Sequence, residues 1–432
     1  MDRRGKGETF TTRALHRLRS HSRAPRRRLL RLGRAMAAKF EKLKLPSYGQ
    51  MGPVAFPASD AQIATGDARR VLLFGGQRSG ISGAMYSFEQ TSGEGFVAMA
   101  EQAEGEKGPP PAPRTQASLT SIGEEDKQTT LILFGGFALN IGCVNDAWKC
   151  VVEIDPVTTF PVPRWTKLEC SGTTPSPRYG HSATYLGTKK DKIAIFGGMD
   201  TLQQYDDLFI LSHDPAGWSR PACKGPAPSP RVKHSATMLG ASGIILFFGG
   251  FNKADRVMSD AYKLEMGADC SSATWAKVQM EAPVGSKSIT SLDAPLSASD
   301  CMLMVSDCLP HQVGSKSITA RAQHAAACTK DGRYVFIFGG YDGFKSLNDF
   351  WLLDATTYAL RDLAVEAPVP EARSRHSMHF VGSLLHIFGG FDGSKPIGGD
   401  VYTLDCSDPG AMESAGGGDK KKEAAKEEDD EA

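Results

Sequence analysis

No stretch of about 18 consecutive apolar residues occurs, so no membrane-spanning helix is expected. The nine cysteines fall at 143, 150, 170, 223, 270, 301, 308, 328 and 406. Their number is odd, none forms a C-x-x-C pair, and none clusters with histidine at zinc spacing, so neither a disulfide framework nor a metal site is expected. Reduced thiols and a cytoplasmic location are the expectation. Net charge is also nearly absent, with 50 Lys and Arg against 49 Asp and Glu. The balance conceals an asymmetry: residues 1–35 hold twelve Lys or Arg against Asp2 and Glu8, leaving 38 basic and 47 acidic residues in 36–432. The larger part is mildly acidic and has no clustered basic face, which argues against nucleic-acid binding. With 41% hydrophobic and 23% charged residues, it has the composition of a globular protein.

What is present is a repeat. An apolar run ending in paired glycines occurs six times: VLLFGG at 71–76, LILFGG at 131–136, IAIFGG at 193–198, LFFGG at 246–250, VFIFGG at 335–340 and LHIFGG at 385–390. The second glycines are 60, 62, 52, 90 and 50 residues apart. Each unit reads as four antiparallel strands. The first strand follows an arginine, as in Arg178-Tyr-Gly-His181, Arg231-Val-Lys-His234, Arg321-Ala-Gln-His324 and Arg373-Ser-Arg-His376. The second is the apolar run itself, continuous as expected of a strand covered on both faces. The third carries Tyr86, Trp148, Phe209, Tyr262, Trp351 or Tyr402, in five cases two residues after an Asp. The fourth carries Trp165, Trp218 or Trp275, with Phe96 and Tyr358 as bulky substitutes. The sixth unit lacks a fourth strand, but Phe40-Glu-Lys-Leu-Lys-Leu45 has its pattern, and a strand from that end would remove the open sheet edges.

The Arg-x-x-His strand, the apolar run with Gly-Gly and the spaced Tyr and Trp together resemble the kelch-repeat family over about residues 38–407. The stretch Pro175-Ser-Pro-Arg-Tyr-Gly-His-Ser-Ala-Thr184 is similar to kelch-only proteins of the Rab-effector type. The resemblance implies an all-β, six-bladed propeller over residues 36–408, closed by the N-terminal strand and monomeric. A disordered basic leader (1–35) precedes it, read as untranslated sequence ahead of Met36 or as a presequence, and a disordered charged tail (409–432) follows it.

One step is too long. The heptapeptide Val284-Gly-Ser-Lys-Ser-Ile-Thr290 recurs unchanged as Val313-Gly-Ser-Lys-Ser-Ile-Thr319, and removing 291–319 reduces the 90-residue step to 61 and joins Thr290 to Ala320. Residues 291–319 therefore read as an artefactual insertion.

Repetition also assigns roles. Gly75, Gly76, Gly135, Gly136, Gly197, Gly198, Gly249, Gly250, Gly339, Gly340, Gly389 and Gly390 read as structural, as do Arg178, His181, Arg231, His234, Arg321, His324, Arg373 and His376. Catalysis normally needs an asymmetric constellation, so no catalytic residue, metal or cofactor is expected. The loops between second and third strands open on one face and differ between units. On that face Arg78, Phe137, Met199, Phe251, Lys253, Arg256, Tyr341, Phe344, Lys345 and Phe391 have the aromatic and cationic character of protein interfaces. The alternative for the residue directly after each glycine pair is packing beneath its own loop. The expected function is a protein–protein interaction scaffold, or adaptor, for a protein partner. The alternatives are a substrate adaptor for ubiquitin ligase, a vesicle-trafficking effector, and a kelch enzyme or metal-dependent specifier-like protein. For the last, Glu265 and Asp269 match a Glu-x-x-x-Asp-x-x-x-His motif whose third position is Ala273.

Overall fold

The computed structural model describes residues 38–42, 62–65, 70–77, 81–89, 96–99, 109–125, 128–155, 161–187, 190–254, 256–280, 317–363, 365–366, 368–397, 401–407 and 409. The chain divides into units 1–35 and 36–432, and every described residue lies in the second. The leader, residues 291–316, the tail beyond residue 409 and Arg78 lie outside the described residues.

Among the described residues six larger sheets follow one another, each built on the same antiparallel set of four strands, with two small sheets of two-residue strands in the loops. Sheet one comprises Gln62–Thr65, Arg70–Phe74, Met85–Glu89 and Phe96–Ala98. Sheet two has Ser118–Glu125, Gln128–Phe134, Ala147–Ile154 and Pro161–Lys167. Sheet three has Ser182–Tyr185, Lys192–Phe196, Leu208–His213 and Ala216–Ser219. Sheet four has Ser235–Met238, Ile244–Phe248, Ala261–Met266 and Ser272–Val278. Sheet five has Ala325–Cys328, Tyr334–Tyr341, Ser346–Asp354 and Leu360–Asp362. Sheet six has Ser377–Val381, Leu384–Phe388 and Val401–Asp405, and beside the last lies Ala38–Lys42 from the other end of the chain.

The register of that distant strand matches the other sheets. Two residues beyond each third-strand aromatic, the cross-strand partner is Trp165 opposite Cys150, Trp218 opposite Leu211 and Trp275 opposite Leu264. Phe40 stands opposite Leu404 in the same way. It is fully buried, with its ring 5.3 Å from that of Phe350 in sheet five. In sheet five the equivalent partner is Leu360 opposite Leu353, not Tyr358 as the sequence pattern suggests. Tyr358 sits one turn earlier with φ +59°, donating its N–H to the Asp354 carbonyl, because the connection here is short.

The second strands are buried along nearly their whole length, since both faces of each sheet meet neighbouring sheets. The apolar core is accordingly divided into layers between consecutive sheets. Phe196 and Ile210 of sheet three pack with Phe247 and Trp275 of sheet four. Val71, Leu73 and Phe88 of sheet one pack with Val381 and Phe388 of sheet six, the rings of Phe88 and Phe388 meeting edge to face at 5.5 Å. Outer edges receive a second kind of cover: Ala222–Lys224, leaving sheet three, pairs parallel with the outermost strand of sheet four, and Val365–Glu366 does the same beside Ala38. Paired edges are closed to strand addition by other chains.

Candidate functional site

In sheets two to six the first strand is preceded by a buried arginine, Arg114, Arg178, Arg231, Arg321 or Arg373, which ties neighbouring elements together; no arginine occurs in residues 44–61 ahead of sheet one. Arg178 donates from Nε to the Ser176 carbonyl (3.1 Å) and from Nη1 to the Gly197 carbonyl (2.9 Å), and it grips Asp207 with both terminal nitrogens. Arg231 repeats this with Gly249 and Asp260, and Arg321 with Gly339 and Asp349. Arg114, which the sequence pattern did not single out, does the same in sheet two with Gly135 and Asp146. The signal was available in Pro-Ala-Pro-Arg114 and in the Asp two residues before Trp148. Ala117 stands where the other units carry histidine. Burial alone would raise the Asp146 and Asp349 carboxyls. The hydrogen bonds and charge of Arg114 and Arg321, with the N–H of Trp148 and Trp351, outweigh it and hold both below the ordinary aspartate value.

The histidines join one sheet to the previous one. Nε2 of His181 shares a hydrogen bond with Ser118 Oγ, His234 with Ser182 and His324 with Ser235, each at 2.9 Å. Ala325 stands at the corresponding place for His376, so no hydroxyl meets it. Burial, with the charge of the adjacent arginine, pushes His181 and His324 down to about 3 and His234 and His376 well below the ordinary value, so all four are neutral. The glycine pairs allow this packing. A Cβ on Gly198, where φ is +89°, would lie 2.9 Å from His181 Cβ and 3.0 Å from the Tyr179 carbonyl oxygen.

The residues just before the histidines form a backbone chain across sheets. The N–H of Gly180 donates to the Gln116 carbonyl, Lys233 to Gly180, Gln323 to Lys233 and Arg375 to Gln323, at 2.8 to 3.0 Å. All five have φ between +54° and +65°. They line a cavity of about 170 Å³ together with the four histidines.

The loop-face candidates fall into two groups. Phe137, Met199, Tyr341 and Phe391 are half-buried, and each pairs through its main chain with the strand entering its own sheet, Met199 with Tyr179 and Phe391 with Ser374 for example. Phe251 pairs likewise with Val232 but is 37% exposed. Arg375 lies over the Phe391 ring at 5.3 Å. Lys253 joins two loops, donating its N–H to Gln204 Oε1 (2.8 Å) and its Nζ to the Leu202 carbonyl (3.0 Å). Arg256 and Lys345 are exposed.

Phe344 is 91% exposed, and the structure adds Leu202 at 82%, Ile141 at 65% and Leu139 at 45% in the corresponding loops of sheets three and two. The sequence reading did not single out these three. Asp200 and Asp342 fix two of the tips. Each accepts two backbone N–H bonds at Oδ1, from Leu202 and Gln203 and from Phe344 and Lys345, all at 2.7 to 2.8 Å. Asp392 makes the same turn, and the N–H groups of Lys395 and Ser394 draw its carboxyl down to about 2.

Glu265 and Asp269 do not converge as ligands: Glu265 takes Lys263 Nζ at 2.8 Å, and Asp269 caps the turn at Ser271. Among the described residues no group of three or more His, Cys, Asp or Glu is placed to hold a metal. No described helix is long and apolar enough to cross a membrane.

Residues 62–292, more than half of the chain, match the family model for the Attractin/LZTR1 beta-propeller, and residues 303–423 match the KLHDC2/KLHL20/DRC7 Kelch-repeats domain. Among similar curated proteins, the Arabidopsis thaliana F-box/kelch-repeat protein At1g51550 is 26% identical over 68% of this chain and 55% of its own length. Kelch domain-containing protein 3 of Rattus norvegicus is 27% identical over 60% of each. Acyl-CoA-binding domain-containing protein 4 of Arabidopsis thaliana is 30% identical over 45% of this chain and 26% of its own length. The chain thus spans between about a quarter and three fifths of these relatives. Six copies of one strand set, five of them entered through the same buried arginine, agree with these matches: the chain belongs to the kelch-repeat β-propeller family.

Proposed function

We propose that the chain is a six-bladed propeller closed by Ala38–Lys42 and that it acts as a non-catalytic scaffold, holding a protein partner on the face formed by the loops between second and third strands. What supports closure is Phe40 in the register of the outer-strand tryptophans and the packing of sheet one on sheet six. What carries the binding reading is the exposure of Phe344, Leu202 and Ile141 at turn tips on three sheets, beside Lys253, Arg256 and Lys345. Apolar side chains held rigidly in water contribute nothing to this fold, whereas at an interface they become anchors with little ordering entropy left to lose. A reducing, cytoplasmic setting fits the seven free cysteines among the described residues. Adaptor function of the kind named in the F-box/kelch-repeat relative would require recruitment of the remaining machinery by surface contact.

The test is capture from native extract with the full chain and with a variant carrying Ile141→Ser, Leu202→Ser and Phe344→Ser, both verified as folded by circular dichroism. A partner recovered by the first and lost by the second is expected. Equal recovery of every partner by both would refute the loop face as the binding site.

A further inference from the structure

Each joint that carries a latch arginine, those into sheets two to six, is plugged by the residue three positions before it. It is Pro111, Pro175, Pro228 and Pro370 in four joints and Ile318 in the joint between sheets four and five, and all five are buried. The next residue gives its carbonyl to the arginine Nε at 3.0 to 3.1 Å: Ala112, Ser176, Ser229, Glu371 and Thr319. Ile318 lies in the core shared by Val278 of sheet four and Val335 and Leu360 of sheet five. Thr319 Oγ1 also accepts from Arg321 Nη2 at 2.9 Å.

Ile318 and Thr319 belong to the second copy of the heptapeptide, and Ile289 and Thr290 are their chemical equivalents in the first. Chain length permits either to serve. Arg178 follows the end of the preceding outer strand, Lys167, by 11 positions; Arg231 follows Ser219 by 12, Arg373 follows Asp362 by 11 and Arg114 follows Ala98 by 16. Arg321 follows Val278 by 43, and subtracting the 29-residue offset leaves 14, inside the range of the others.

We propose that the seat between sheets four and five accepts either copy of the heptapeptide. With Ile318 and Thr319 seated, the 29 additional residues precede the plug; with Ile289 and Thr290 seated, they follow it. One covalent chain thus has two arrangements of this joint at closely similar stability. The same equivalence makes the stretch removable, because a chain lacking 291–319 keeps an identical plug directly before Ala320 and Arg321.

Thermal unfolding of the full chain tests this with Ile318→Ser, Ile289→Ser, the double variant and the deletion of 291–319. Exchange predicts that either single substitution lowers Tm by less than about 1 °C, because the intact copy takes the seat, and that the double variant loses about 3 °C or more. The deletion is expected within about 1 °C of the parent, and Ile289→Ser introduced into it should now show the full loss. A loss from Ile318→Ser alone equal to that of the double variant, with Ile289→Ser silent in the full chain, overturns the proposal, as does a double variant with unchanged Tm.

Discussion

Stability should fall steeply as the pH drops below that of free histidine. Desolvation gives His181, His234, His324, His376, His379 and His386 folded-state values far below the ordinary 6.5, those of His181 and His324 near 3 and those of His379 and His386 near 4. A depressed histidine is neutral in the fold and takes up its proton on unfolding. Its contribution is therefore complete above pH 6.5 and is lost progressively as the pH falls towards the folded value. At pH 5.5, a unit below the unfolded value, each such group removes on the order of 1 kcal/mol, so together they remove several kcal/mol, a large part of the stability of many domains. Urea midpoints between pH 8 and 5 give the assay. The expected curve is level above pH 7 and falls below it with a slope approaching six protons, and His324→Gln should reduce that slope by about one. A midpoint unchanged between pH 7 and 5.5 would refute the reasoning. The latch carboxylates act in a lower window: Asp146 and Asp349, depressed in the fold, contribute fully above about 3.8 and are lost only below it.

Asp207→Ala leaves the buried Arg178 without its counter-charge and should cost about 3 kcal/mol in urea unfolding, most of which Arg178→Met in the same chain should restore. Ser182→Ala removes the partner of His234 Nε2 and should destabilise by about 1 kcal/mol, whereas Ala325→Ser supplies His376 with the missing hydroxyl and should stabilise by a similar amount, both read from denaturant midpoints. Gly198→Ala meets a left-handed φ together with the His181 contact, and a loss of at least about 2 kcal/mol is expected by the same measurement.

Periodicity made the repeats readable because each sheet solves the same packing problem with the same side chains. The glycine pairs, Arg178 and its counterparts, and Phe40 all stand where a missing copy would be noticed. Arg114 escaped because its histidine is replaced by Ala117, so the paired motif was broken even though the arginine kept its carboxylate. Leu139, Ile141 and Leu202 escaped for a different reason. Nothing in the repeat fixes them, and a loop's exposure is decided by its turn geometry, for Leu202 the Asp200 carboxylate, which a sequence pattern does not display. Phe137, Met199, Tyr341 and Phe391 were read from their chemistry alone, and the main-chain pairing that holds them half-buried is invisible at that level.

Ala38–Lys42 has a mechanical consequence. The strand is antiparallel to Val401–Asp405, so Phe40 faces Leu404 while Lys42 faces Tyr402. Tension applied between residues 38 and 405 therefore loads one end of the pair and opens its hydrogen bonds one after another, as a zip, instead of shearing them together. The strand most distant from its sheet in sequence is thus the first to yield when the two ends are drawn apart, while every other outer strand, joined to its neighbour by a continuous connection, is shielded from that load.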